Sequence, residues 1–236
     1  MTTIKMTLGM ICKNEQHYLS LTLPLIRDCF DDFVAVDAES TDKTVEVLKE
    51  NGARVFTRAW TNHYADAKNA VISKIDSGWI FILDSDEAMF PAGINKVRER
   101  ISLLEGNTLV QLSRIEFVQD HDHYDDRCYP DYQGRVFRAG QDYEYRNKVH
   151  ELVYRKGETK CEWELKRYVN YDDCPLYHYG QCKPRKDVWL RHHNYGLMQK
   201  GENLLSKPPE NLVLEPYTNL KQFVGDHPLK GRTTTL

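Results

Sequence analysis

The chain has 236 residues, 41% hydrophobic and 28% charged, with a formal charge of −3. That is enough for one large domain, or for a core domain with an appended arm, and the charge leaves no footprint for bulk nucleic-acid binding. No window approaches about 18 uninterrupted apolar residues, so no transmembrane helix is expected.

Residues 4–12 read as a first strand, with Asn14 and Glu15 at its carboxyl end. An apolar helix pattern follows through Leu19 and Leu23 to Ile26. Residues 33–37 form a short second strand ending in Asp37. Ser40, Thr41 and Asp42 open a helix as a capping cluster, with Val45 and Leu48 on its inner face and Gly52 as its stop. Residues 53–56 are a third strand, and Asn62 caps a helix over 63–75. Residues 79–83 are the fourth strand, a continuous apolar run ending in Asp84-Ser85-Asp86-Glu87. Such runs mark strands buried on both faces of a parallel sheet. The β-α-β-α-β-α-β order predicts an α/β fold with a Rossmann-like, mostly parallel central sheet flanked by helices. No G-x-G-x-x-G follows the first strand, so a dinucleotide fingerprint is absent.

A helix follows over 91–104, then strands over 108–118 and 135–138. Residues 120–131 are acidic and aromatic and read as a loop over the site. After residue 183 the chain is helical and mildly basic up to Pro208-Pro209, and its tail from Asn211 is rich in turn formers. The expected division is a core over 1–182, its nucleotide-binding half about 1–106, and a helical extension over 183–236. The six cysteines (12, 29, 128, 161, 174 and 182) form no C-x-x-C pair. The N-terminus lacks the zones of a signal peptide, so they are expected to be reduced in a cytoplasmic protein. Cys174, His178 and Cys182 fall four apart, but Pro175 and Gly180 break the helix that a zinc site at that spacing would use.

The acid cluster carries the chemistry. Ligands collect at the carboxyl ends of parallel strands. In an extended chain Asp84 and Asp86 point the same way while Ser85 turns aside. Two carboxylates a few ångströms apart repel by roughly 3–4 kcal/mol at an effective dielectric near 20. A hard divalent cation with oxygen ligands relieves that repulsion. Asp37 can accept the ring N–H of a uracil-like base, or serve as a turn acid. Asn14 and Glu15 either close a nucleotide pocket or cap a helix, and Lys68 either meets a nucleotide or is a solvated helix residue.

Met10-Ile11-Cys12-Lys13-Asn14-Glu15, the stretch from Val36 to Thr44, Ala67-Lys68-Asn69 and Leu83-Asp84-Ser85-Asp86-Glu87 come in an order and spacing that resembles family 2 glycosyltransferases of the GT-A fold. Arg135-Val136-Phe137-Arg138, His150-Glu151 and Tyr177-His178-Tyr179-Gly180 resemble later landmarks of that family's lipopolysaccharide core/capsule-type branch. The resemblance covers about residues 4–200. It implies sugar transfer from a nucleotide-sugar, a UDP-sugar, to an acceptor hydroxyl, with inversion. It further implies nucleotide binding by Asn14, Glu15, Asp37, Lys68, Asp84 and Ser85, with Lys68 standing where the family usually has arginine. Asp86 would hold Mn²⁺ (or Mg²⁺) directly, and Asp84 the ribose hydroxyls or a metal-bound water. His178 would be a further metal contact, since imidazole suits manganese better than magnesium. Glu151 occupies the place of the catalytic base; otherwise it is a strand residue paired with Arg135 or Arg146. Asp122, Asp125 and Asp126 are rival bases. Trp163, Tyr168, Tyr171, Trp189 and Tyr195 are candidates for stacking on an acceptor sugar. The acceptor is a glycan, a lipid-linked hydroxyl or another hydroxyl, and peripheral membrane contact through the basic C-terminal segment stays open. A non-catalytic nucleotide-sugar binder is the alternative. A nucleotidyltransferase is a weaker one, because Lys13-Asn14-Glu15 stands where its glycine-rich phosphate loop would be.

Overall fold

Apolar residues two apart decide the first half of the molecule. The computed structural model describes residues 4–230 except 128, 216 and 219. Strands β1 (Met6–Cys12), β2 (Asp32–Asp37), β3 (Arg54–Thr57) and β4 (Trp79–Ile82) pair in parallel in the order β4-β1-β2-β3. On one face Met6, Leu8, Met10, Phe33, Ala35, Trp79 and Phe81 form a core with helices α1 (Gln16–Ile26), α2 (Thr44–Glu50) and α4 (Pro91–Ile101). On the other, Val34, Val36, Ile80 and Ile82 pack with Ala65 and Val71 of α3 (Tyr64–Ile72). Covering both faces is what makes β4 and the interior of β2 continuously apolar. Gly9 permits the close approach of α3: a Cβ there would lie 2.7 Å from Ile82 Cδ1 and 2.8 Å from Val71 Cγ1.

The second half combines the mixed part of the sheet with a separate two-stranded pair. It comprises β5 (Glu87–Ala88), β6 (Leu109–Val118), β7 (His123–Tyr124), β8 (Asp131–Arg138), β9 (Tyr143–Arg146), β10 (Leu152–Arg155), β11 (Tyr168–Gln181) and β12 (Lys221–Gln222), with α5 (Arg185–Lys200) between the last two. β8 runs antiparallel between β4 and β6 and joins the halves. β11 lies parallel to β6 and antiparallel to β5. β9 and β10 form a separate antiparallel pair. The fold is thus α/β, with a parallel half and a mixed half.

Several local expectations shift. His63, not Asn62, caps α3, its Nδ1 accepting from the Asp66 N–H at 3.2 Å, while Asn62 takes a left-handed turn conformation (φ 57°). α3 and α4 end at Ile72 and Ile101, a few residues early. Within residues 120–131, β7 pairs with β6 and β12 at the sheet edge, while Asp131, the first residue of β8, lines the large cavity. The five described cysteines, 12, 29, 161, 174 and 182, are free; Cys128 lies outside the described residues. Cys174, His178 and Cys182 lie on or just after β11, and no cluster of three or more metal-type side chains occurs among the described residues. Among them, too, no helix is long and apolar enough to cross a membrane.

Candidate active site

The parallel register aligns the carboxyl ends of the first strands, with Cys12 opposite Asp37 and Gly9 opposite Ile82. The segments after β1 and β4 therefore open on one edge, into a cavity of about 1440 Å³. Its walls also include α3, β8, the segment before β10, β11 and α5.

Asp84 and Asp86 both reach this cavity but serve different cations. Asp84 Oδ2 accepts from Arg135 Nη2 at 2.6 Å, and its Oδ1 lies 3.0 Å from Lys68 Nζ. Arg135 also bridges to fully buried Glu87 at 2.6 Å. Burial pushes the Asp84 carboxyl up, but Arg135 and Lys68 outweigh it and hold the group well below the usual carboxylate range. Burial dominates at Glu87, whose carboxyl is raised. Asp86 faces His178 Nε2 at 3.2 Å, Arg191 Nη1 at 3.2 Å and Lys183 Nζ at 3.4 Å. The repulsion expected within the acid pair is thus met here by separate sets of cations. Ser85 does not turn aside: the strand ends at Ile82, the next residues form a turn, and Ser85 lines the same cavity.

Register explains how His178 arrives. It stands opposite Glu116 on β6 and Glu87 on β5. Glu116 lies 2.7 Å from its Nδ1. Burial lowers the proton affinity of the ring, but Glu116 and Asp86 reverse this and raise its pKa to about 10. A carboxylate oxygen and an imidazole nitrogen converge, and a second carboxylate orients the imidazole, as is usual for metal-ligating histidines. A metal at Nε2 would replace the proton there. Gly180 keeps the space beside them open: a Cβ would lie 2.6 Å from both Asp86 Oδ2 and His178 Nε2. The residues fit a divalent ion held by Asp86 and His178, with its other ligands from outside the protein.

Glu151 lines the cavity, but its partner is neither Arg135 nor Arg146. Its Oε1 lies 2.7 Å from Lys68 Nζ. Lys68 is consequently a buried bridge and not a solvated helix residue. Glu15 also lines the cavity and pairs with Lys183. Burial and the nearby Asp86 push its pKa up to about 7, against the pull of Lys183.

Two expected nucleotide contacts do not line the cavity. Asn14 is exposed, and its Oδ1 accepts the Thr41 N–H at 2.7 Å. Asp37 is buried, and its carboxylate accepts the Ser40 N–H at 3.1 Å. Both brace the turn after β2, where they accept its N–H groups. Of the rival bases, Asp122, Asp125 and Asp126, none lines the large cavity; Asp125 borders a smaller one of about 180 Å³. Trp163 and Tyr195 line the large cavity. Trp189 instead stacks on His193, Tyr171 on Arg100, and Tyr168 packs into the sheet core.

Sequence reasoning gave no role in the site to Arg114, Glu116, Lys183 or Arg191, or to Glu87 as a partner. Arg135 and Gly180 sat within recognised motifs, but their contacts had no local signal. The basic run from Lys183 to Arg191 was visible as charge, without a destination.

An α/β fold of this order, with acids gathered at the carboxyl edge of a half-parallel sheet, has the GT-A architecture. The chain belongs to glycosyl transferase family 2, whose family model matches residues 7–176. The SPbeta prophage-derived glycosyltransferase SunS of Bacillus subtilis is 28% identical over 153 residues, covering 63% of this chain and 35% of SunS. A TPR repeat-containing protein of Synechococcus elongatus is 26% identical over 149 residues, again 63% of this chain and 35% of the relative. The chain therefore spans about a third of the length of these curated relatives. S. aureus TarS (residues 1–349) shares the fold, with a TM-score of 0.53 over 86% of this chain and 68% of TarS at 11% identity.

Proposed function

We propose that the chain transfers a sugar from a nucleotide-sugar, a UDP-sugar, to an acceptor hydroxyl with inversion at the anomeric carbon. The observation that carries this is the division of labour at the tip of β4. Asp84 is fixed by Arg135 and Lys68, while Asp86 faces His178 beside a gap that only a glycine leaves open. TarS, the fold neighbour, has been crystallised with UDP and with UDP-GlcNAc, which supports the choice of nucleotide. The later motifs keep the lipopolysaccharide-type branch within this reading, with a glycan or lipid-linked hydroxyl as acceptor. Residues 183–236 are read as the acceptor-side extension, because α5 closes one wall of the cavity. The free cysteines suit a reducing, cytoplasmic setting.

In this mechanism the acceptor oxygen attacks the anomeric carbon from the face opposite the diphosphate. The bond from that carbon to the phosphate oxygen breaks, and its electron pair leaves on the nucleoside diphosphate. The acceptor proton passes to the Glu151 carboxylate. Lys183 and Arg191 face the same pocket and stabilise the departing negative charge. The buried Nε of Arg191 has no hydrogen-bond partner among the described residues, so a phosphate oxygen would satisfy it. Mn²⁺ or Mg²⁺ held by Asp86 and His178 would neutralise diphosphate charge.

The test compares the parent with Glu151→Gln. UDP release is followed from UDP-glucose, UDP-galactose and UDP-N-acetylglucosamine with MnCl₂, and UDP binding is followed by calorimetry. The variant is expected to bind UDP like the parent and to turn over at least about 100-fold more slowly. Parental turnover by Glu151→Gln removes that residue from the base role. A parent that binds UDP with neither Mn²⁺ nor Mg²⁺ overturns the donor assignment.

A further inference from the structure

The geometry points to Lys68 as the positioning residue for the base, not as a ligand of the donor. This rests on the reading of Glu151 as base and adds the device that aims it. Lys68 Nζ lies 2.7 Å from Glu151 Oε1 and 3.0 Å from Asp84 Oδ1, with the side chain 6% exposed. The Tyr145 ring lies beneath it at 5.3 Å. A single ammonium here donates to two carboxylates at once.

The base needs such a device because of where it sits. Glu151 ends the segment between β9 and β10, whose backbone is left-handed at Asn147 (φ 81°) and His150 (φ 53°). Side chains other than glycine adopt that region under constraint. The constraint comes from α3. Asn69 exchanges two hydrogen bonds with the Tyr145 backbone, at 2.8 and 2.9 Å. The Tyr64 N–H donates to Lys148 O at 2.9 Å. Lys68 is the third tether and the one that reaches the carboxylate. Asp84 keeps Arg135 on its other oxygen. For Glu151, Lys68 is the one ion-pair partner among the described residues. Removing the ammonium therefore frees the base while the donor-side acid stays held.

The test uses the full chain and the variants Lys68→Met and Lys68→Arg. Hydrogen exchange is followed over residues 147–152, UDP binding with MnCl₂ by calorimetry, and UDP release with whichever of the three donors above the parent consumes. Lys68→Met is expected to speed exchange in 147–152 and to slow release about 100-fold, the loss typical of a misplaced reacting group. The UDP dissociation constant should barely change. Lys68→Arg should restore most of the exchange protection and rate. If Lys68→Met weakens UDP binding by as much as it slows release, Lys68 is a donor ligand and the proposal fails. Parental exchange in 147–152 overturns it without any substrate. Should the methionine variant not fold, Lys68→Gln is judged by the same readouts. The two readings separate cleanly: rapid turnover by Glu151→Gln defeats the base assignment, whereas slow Glu151→Gln beside rapid Lys68→Met defeats only the role of Lys68.

Discussion

Gly180→Ala adds one methyl where Asp86 and His178 meet. Its Cβ would stand 2.6 Å from Asp86 Oδ2, 2.6 Å from His178 Nε2 and 2.8 Å from Arg191 Nη1, all under the 3.0 Å that real Cβ atoms respect. Arg191 can withdraw along its flexible stem. His178 cannot move as easily, because Glu116 holds its other nitrogen at 2.7 Å. The methyl therefore parts the two metal-type donors. Gly180 is not among the glycines with positive φ, so the effect is steric and not a backbone penalty. Overpacking of this kind costs about 1–3 kcal/mol. If that cost falls on the ion-bound state, affinity drops between about 5-fold and about 150-fold, since 1.4 kcal/mol is tenfold. The assay is calorimetric titration of UDP with and without MnCl₂, alongside thermal melts. The parent should gain affinity from Mn²⁺ and the variant should lose that gain, with UDP alone changing less. Gly196→Ala on α5 is the control, because nothing lies within 4 Å of its added Cβ. An unchanged manganese gain in Gly180→Ala would mean that the gap is not where the ion sits.

Arg135→Met should be the most damaging single change near the site to stability. It strips a nearly fully buried guanidinium from Asp84 and fully buried Glu87. Breaking such a buried network costs about 3–5 kcal/mol, a melting shift of roughly 6–20 °C for a chain of this size. A melt matching the parent would show that Glu87 had found another partner or a proton. At the far end of β2, the hydrogen bond from Arg54 outweighs the upward push of burial and, helped by the Phe33 N–H, holds the Asp32 carboxyl below its ordinary range. That stabilisation is present above the unfolded value near about pH 4 and is lost as pH falls through the folded value. Asp32→Asn should therefore flatten the acid limb of a stability–pH profile while costing under about 1 kcal/mol at pH 7, as for a solvent-exposed pair. A steep, parental acid limb in Asp32→Asn would assign the effect to other carboxylates.

The first four strands and their helices were legible because their signals are local. A strand covered on both faces needs apolar residues at every position, as residues 79–82 show. The helix over 64–72 was legible too, although its cap was misplaced by one residue, because adjacent polar residues can each cap and backbone geometry chooses between them. The contacts of Asn14 and Asp37 needed the folded turn: their side-chain oxygens accept the N–H groups of Thr41 and Ser40. The 14-residue β11 carried no comparable pattern, since its half-exposed faces mix polar and apolar residues.

Local residue order alone places acids at the end of a buried strand, with the other motifs in a fixed succession around them. Tertiary structure decided which cation each acid meets. Asp86 meets Lys183 and Arg191 across 97 and 105 residues of chain, and His178 meets Glu116 only because β11 lies beside β6 in one register. Periodicity is set by neighbours along the chain and can be read there. Ion pairing is set by strand order and register, which arise only when the whole sheet assembles.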